Sequence, residues 1–131
     1  MNILRPTYMR QLIDAQNNGL IKIVSGIRRA GKSYLLKNLF RAHLVEQGVP
    51  ADHILLIDLE GRQNKPFRNP DYLLDWVDQK MQDSAPYYII IDEVQRVEDF
   101  VEMLGSLVLK ENADVYVTGS NSHFLSSDIA T

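Results

Sequence analysis

Gly26-Ile27-Arg28-Arg29-Ala30-Gly31-Lys32-Ser33 meets the spacing G-x-x-x-x-G-K-S at every specified position. Before it stands Leu20 to Ser25 (LIKIVS), rich in β-branched residues and read as a strand. After it Leu35, Leu36, Leu39, Phe40, Leu44 and Val45 recur at the spacing of one helical face, until Gly48 and Pro50 end the pattern. A bare glycine turn with an exposed Lys-Ser pair has no need of a strand before it and a helix behind it; a phosphate loop has. Glycines let the backbone curl so that its N–H groups point inward, and the helix adds its positive N-terminal end. Lys32 brings a mobile charge to the β- and γ-phosphates, and the Ser33 hydroxyl can replace one water around Mg²⁺. Gly26 to Ser33, with Tyr34 behind them, are therefore the expected polyphosphate cradle.

Working outward, Met9, Leu12 and Ile13 after Pro6 form a short leading helix that ends at Asn17-Asn18-Gly19. Ile54 to Leu59 (ILLIDL) reads as a second strand covered on both faces, and Gly61 to Asn69 as a polar loop. Asn69-Pro70 is a cap followed by a first-turn proline, opening a helix with Leu73, Leu74, Val77 and Met81 inward, broken by Ser84 to Pro86. Tyr87 to Ile91 is the third strand. Val97 to Leu109 is a helix with Phe100, Val101, Leu104, Leu107 and Val108 inward, and Val115 to Val117 is the fourth strand. Strand and helix alternate throughout, which predicts an α/β fold: a parallel sheet with helices on both faces, because parallel strands need long crossovers that cover the sheet.

Two further segments end at the same crevice if the sheet is parallel, since ligands bind beyond the carboxyl ends of such strands. Tyr88-Ile89-Ile90-Ile91-Asp92-Glu93 closes the third strand with two carboxylates. Asp92 is the expected partner of Mg²⁺, directly or through water, and Glu93 a general base for a water attacking the γ-phosphate. The alternative is that both acids cap the next helix. Thr118-Gly119-Ser120-Asn121 follows the fourth strand, and spacing does not choose among Thr118, Ser120 and Asn121 as the polar group at the reacting end; a polar turn opening a helix near Ser122 is the competing reading.

Composition narrows the classes. At 131 residues the chain is about one domain, and 45% hydrophobic with 24% charged residues is globular composition. Fourteen basic against seventeen acidic residues, a net charge of -3, argue against a globally basic nucleic-acid surface. The absence of cysteine excludes disulfides and thiolate metal sites and fits a reducing compartment. There is no signal-peptide core and no apolar run of membrane-spanning length, so the expected location is cytoplasmic. His43, His53 and His123 lack ligand spacing and are expected at surfaces or helix ends. Arg28 and Arg29 brace the loop, and Arg62, Arg68 and Arg96 read as solvated charge. Phe67, Tyr72 and Trp76 read as packing.

The segments GIRRAGKS, YYIIIDEVQ and VYVTGSNSHFLSS together resemble the AAA+ superfamily of P-loop ATPases, and most closely poorly characterised prokaryotic ATPases with a GxRRxGKS loop. The resemblance covers nearly the whole chain. It implies Mg-dependent ATP binding and hydrolysis, with a Walker A segment carrying Lys32 and Ser33, a Walker B segment carrying Asp92 and the catalytic Glu93, and a sensor at Ser120 or Thr118. It also implies N-terminal residues near the adenine, in the region of Arg5 to Tyr8, and a sheet order 5-1-4-3-2. A fifth strand, a helical lid and an arginine finger are implied too and are not identified in the chain. Residues 1–131 thus read as a single nucleotide-binding core, an N-terminal fragment cut before the fifth strand, whose hydrolysis powers or gates a C-terminal domain. The leading strand would then be an open edge, and self-association through it, or a homo-oligomer by exchange, is expected. A protein or DNA partner would be engaged through the C-terminal region, and no membrane. The competing function is a nucleotide-dependent switch with little hydrolysis that recruits a protein or DNA partner. A small-molecule kinase would need an acceptor pocket and basic lid that the sequence does not offer, and no N-K-x-D motif supports a GTPase.

Overall fold

The computed structural model describes residues 4–24 and 29–119, with Leu4 to Tyr8, Arg29, Ala30 and Lys32 described through their backbone. The elements alternate as the sequence predicts: α1 (Leu4–Asp14), β1 (Lys22–Val24), α2 (Arg29–Tyr34), α3 (Arg41–Glu46), β2 (Ile54–Asp58), α4 (Pro70–Lys80), β3 (Tyr87–Asp92), α5 (Phe100–Val108) and β4 (Ala113–Thr118). All strands pair in parallel, in the order β1-β4-β3-β2, so β1 lies at one edge of the described sheet. This is an α/β fold built on an all-parallel sheet.

Side chains alternate across the sheet with period two. Val24, Ile54, Tyr88, Ile90 and Tyr116 meet Leu12 of α1 and Leu35, Leu36, Phe40 and Leu44 of the second helical segment. Leu55, Ile57, Ile89, Ile91, Val115 and Val117 meet Leu73 and Val77 of α4 and Met103, Leu104 and Leu107 of α5. Burying a side chain the size of Leu or Phe on either face stabilises by about 1.5–3 kcal/mol, so two covered faces make one cooperative core.

Between α2 and α3 the chain stays in right-handed helical conformation but widens to a π-helix over Leu35–Phe40. A wider turn retards the angular advance of every residue behind it. That accounts for Val45, expected inward from a regular period and found 53% exposed, while Leu35, Leu36, Phe40 and Leu44 are fully buried.

The remaining differences have local causes. The leading helix starts at Leu4, ahead of Pro6, because a proline is tolerated in a first helical turn. It ends where Asn17 (φ 55°) and Gly19 (φ 81°) turn left-handed. The polar stretch expected over 61–69 is a 3-10 helix, Arg62–Arg68, containing Pro66 and tied to β2 by Asn64, whose amide donates to the Asp58 carbonyl at 2.7 Å. The helix expected from Val97 starts at Phe100. Asp99 sits at φ 52° and Val97 is extended, so a short 3-10 turn, Val94–Arg96, stands apart from α5. Val101, expected inward, is 70% exposed, and Met103 takes the core position.

Asn69 caps α4 as predicted, its side-chain oxygen accepting from the amides of Asp71 and Tyr72. Phe67 packs edge-on against Tyr72 and Trp76, the packing role expected of them. His53 lies at a helix end, as expected, closing the 3-10 turn Ala51–His53, but it is buried there, stacked 4.0 Å from Tyr87, with Nδ1 at 3.1 Å from the Pro86 carbonyl. Arg68 is not simply solvated, since it donates to the Leu59 carbonyl at 3.3 Å and its Nε is buried.

Candidate functional site

Register brings the site together. Asp58 pairs with Asp92 on the last rung between β2 and β3, and Val24 pairs with Thr118 between β1 and β4. Asp58, Asp92 and Thr118 follow Leu56, Ile90 and Tyr116 by two residues, so all three occupy the sheet face covered by α2, the π-helical segment and α3. Where the apolar run of each strand ends, that face turns from hydrocarbon to carboxylate and hydroxyl.

Asp92 is 1% exposed and is the hub. Its Oδ1 accepts from Ser33 Oγ at 2.8 Å and from Thr118 Oγ1 at 2.7 Å. Its Oδ2 is buried with no hydrogen-bond partner, and the Lys37 ammonium stands 3.6 Å away. Lys37 also bonds Asp58 Oδ2 at 3.0 Å. Burial of the ammonium alone lowers its pKa; the Asp58 hydrogen bond and the charges of Asp92 and Asp58 outweigh that and hold Lys37 above the ordinary lysine value.

Thr118 uses both capacities of its hydroxyl. It donates to Asp92 and accepts the Glu93 amide at 2.8 Å, joining the ends of β3 and β4. Glu93 is 3% exposed and left-handed, at φ 62° and ψ 55°. That conformation costs a non-glycine residue about 1–2 kcal/mol, and such strain collects where geometry serves function. Its side chain makes no cap bond to the following turn, and Asp92 is committed to Ser33 and Thr118. Helix capping is therefore not what places these acids. Glu93 Oε1 accepts from Gln95 Nε2 at 2.6 Å. Gln95 in turn lines an open groove of about 390 Å³ with Arg68, Asn69, Arg96, Val97 and Glu98.

Of the residues read from the sequence, Ser33, Asp92, Glu93 and Thr118 are brought together. Gly31 and the half-exposed Tyr34 lie on α2, as do Arg29, Ala30 and Lys32 through their backbone. Gly26, Ile27 and Arg28 lie outside the described residues, as do Ser120, Asn121 and His123. Sequence reading missed Lys37, Asp58 and Gln95. Two signals were available: Asp58 interrupts the apolar run of β2, and Lys37 follows Ser33 by one helical turn, on the side of the site.

A family model described as an AAA domain matches residues 18–131. A protein of Haemophilus influenzae (strain ATCC 51907 / DSM 11121 / KW20 / Rd), itself described as uncharacterized, is 35% identical over 130 residues, covering 98% of this chain and 32% of its own length. The chain thus spans about a third of that relative. No solved structure matches.

Proposed function

The chain belongs to the AAA domain family, and we propose from that premise that it binds Mg-ATP at the loop Gly26 to Ser33 and that the whole protein hydrolyses it. The observation carrying this reading is the convergence of Ser33 and Thr118 on Asp92, with the Glu93 amide held in turn by the Thr118 hydroxyl. In this assignment the loop amides and Lys32 hold the phosphates, Ser33 and Asp92 face the metal, and Glu93 orients a water and accepts its proton. Of the sequence candidates for the terminal-phosphate sensor, Ser120 is preferred, because the buried Thr118 hydroxyl already donates its proton to Asp92. Arg28, Arg29, Ala30, Ile27 and Tyr34 frame the nucleotide.

The donor set suits a hard divalent ion. Asp92 keeps one buried oxygen without a hydrogen bond while the other already holds the Ser33 hydroxyl. A divalent ion there would share its shell with phosphates and waters, as Mg²⁺ does when one or two carboxylates or hydroxyls hold it. Mg²⁺, when bound, supplies charge neutralisation at the β- and γ-phosphate oxygens.

Residues 1–131 are read as one nucleotide-binding unit, working on a domain in the additional length that the Haemophilus relative has. No helix among the described residues is long and apolar enough to cross a membrane. In the full-length protein, Glu93→Gln is expected to abolish ATP turnover while nucleotide binding persists, and Lys32→Ala to abolish binding. Turnover that survives Glu93→Gln refutes the base assignment; binding that survives Lys32→Ala refutes the nucleotide reading.

A second reading rests on Gln95, which holds Glu93 and also lines the groove beside Arg68 and Arg96. A protein or DNA partner in that groove would act on Glu93 through Gln95, making the protein an ATP-dependent switch with little hydrolysis. Tight ATP binding without turnover in the intact protein would favour it.

A further inference from the structure

Lys37 lies deep enough along its helix to be missed as part of the phosphate loop, yet its ammonium reaches the carboxylates at the ends of two strands. It stands 3.0 Å from Asp58 Oδ2 and 3.6 Å from Asp92 Oδ2, and the latter is the buried oxygen that no hydrogen bond satisfies. The other Asp92 oxygen is occupied twice, by Ser33 and by Thr118. Asp92 therefore presents a single free face, and a lysine flanks it. Asp58, about one-third exposed, gives the same ammonium a second seat at shorter range.

The helix is built to allow this. Lys37 belongs to the π-helical segment Leu35–Phe40, whose Leu35, Leu36 and Phe40 are fully buried against the sheet. Three apolar anchors fix the segment while Lys37, 27% exposed, emerges at the rim where the strands end. A π-helical insertion of this kind re-aims side chains relative to a regular helix.

We propose that Lys37 is the resident counter-ion of the metal-facing acid pair: seated on Asp58, it screens the Asp92 charge while no divalent ion is present and is retained by Asp58 when one approaches, making Asp58 a positioning residue for the metal site. The proposal rests on the assignment of Asp92 to Mg²⁺ made above. The physical reason is competition between like charges for one oxygen. An ammonium at 3.6 Å from Asp92 opposes a divalent ion there, and an alternative carboxylate lowers that opposition. With Asp58 present the ammonium can retire without losing its ion pair. Without Asp58 it has Asp92 alone.

The test is Mn²⁺ binding, followed by the electron paramagnetic resonance of the free ion, to the full-length protein saturated with a non-hydrolysable ATP analogue. Lys37→Met is expected to tighten Mn²⁺ binding by roughly tenfold, the scale of one unit charge at a largely buried site near the surface. Asp58→Asn is expected to weaken it several-fold, Lys37→Arg to leave it within about twofold, and the double variant Lys37→Met with Asp58→Asn to bind about as Lys37→Met does, because Asp58 acts through Lys37. A merely structural lysine would lower thermal stability in Lys37→Met with no gain in Mn²⁺ affinity, and that result overturns the proposal. Unchanged or tighter binding in Asp58→Asn also overturns it. Parent protein that takes up no nucleotide overturns the functional reading and this one together, whereas parent protein that binds the analogue with Mn²⁺, and variants that do not differ from it, overturn this one alone.

Discussion

Thr118 joins two strand ends through one hydroxyl, and its replacement isolates that role. Thr118→Val keeps the shape, removes the donor to Asp92 and leaves the buried Glu93 amide without its acceptor. Leaving such a group unsatisfied costs about 1–3 kcal/mol. The denaturation midpoint is expected to fall accordingly, and ATP turnover to fall further than binding, because Glu93 loses the contact that sets its backbone. Equal losses in turnover and binding would count against that role.

Tyr116 is fully buried and donates to Asp114 at 2.5 Å. Burial first, and then the Asp114 charge, push its pKa above the ordinary tyrosine value of 10.0. The folded state therefore keeps a proton that the unfolded chain releases above about pH 10. Its contribution is complete below that pH and is lost as pH rises beyond it. Tyr116→Phe is expected to cost about 1.5–3 kcal/mol at neutral pH, as for a bond to a charged acceptor, and to flatten the alkaline decline measured by urea denaturation at a series of pH values.

At the level of elements, the π-helical segment decides which residues of one helix face the core. Phe40→Ala is expected to cost about 3–5 kcal/mol, whereas Val45→Ala should stay within about 0.5 kcal/mol of the parent. A regular helical period makes both residues core, so comparable costs would contradict the shifted phase. The same contrast holds in α5, where Leu104 is buried and Val101 exposed. Element types and most boundaries were legible because apolar period and cap chemistry act within a few residues, as Asn69-Pro70 at the start of α4 does. The π-helix and the 3-10 helix over Arg62–Arg68 were not, since neither leaves an apolar repeat of its own in the sequence.

Across the whole molecule, the sheet is pinned at its opposite end by a buried ion pair. Lys22 of β1 is 0% exposed and bonds Asp114 of β4, which also accepts from the Asn17 amide and Tyr116. Breaking a buried pair from one side typically costs about 3–5 kcal/mol, so Lys22→Met should show a correspondingly lower midpoint. It should also loosen β1, which has β4 on one side and no neighbour on the other among the described residues. Where that side of β1 stays uncovered, a parallel edge invites pairing, and concentration-dependent association in light scattering is the expected result. A strict monomer at high concentration would refute that expectation.

The sequence by itself determined the α/β class and put forward Ser33, Asp92, Glu93 and Thr118 as site candidates, while the 1-4-3-2 part of the strand order came only from the resemblance. It could do so because a glycine loop between strand and helix, and acids at a strand end, carry their chemistry in local spacing. Only the tertiary structure decided that Asp92 Oδ1 is shared by Ser33 and Thr118, that Glu93 stands left-handed beside Gln95, and that Lys37 and Asp58 belong to the same cluster. Those contacts join residues 21 to 59 positions apart, apart from the neighbouring Gln95 and Glu93. They exist because parallel register aligns three strand ends and a widened helical turn aims one lysine at them, and neither condition is written in any single stretch of chain.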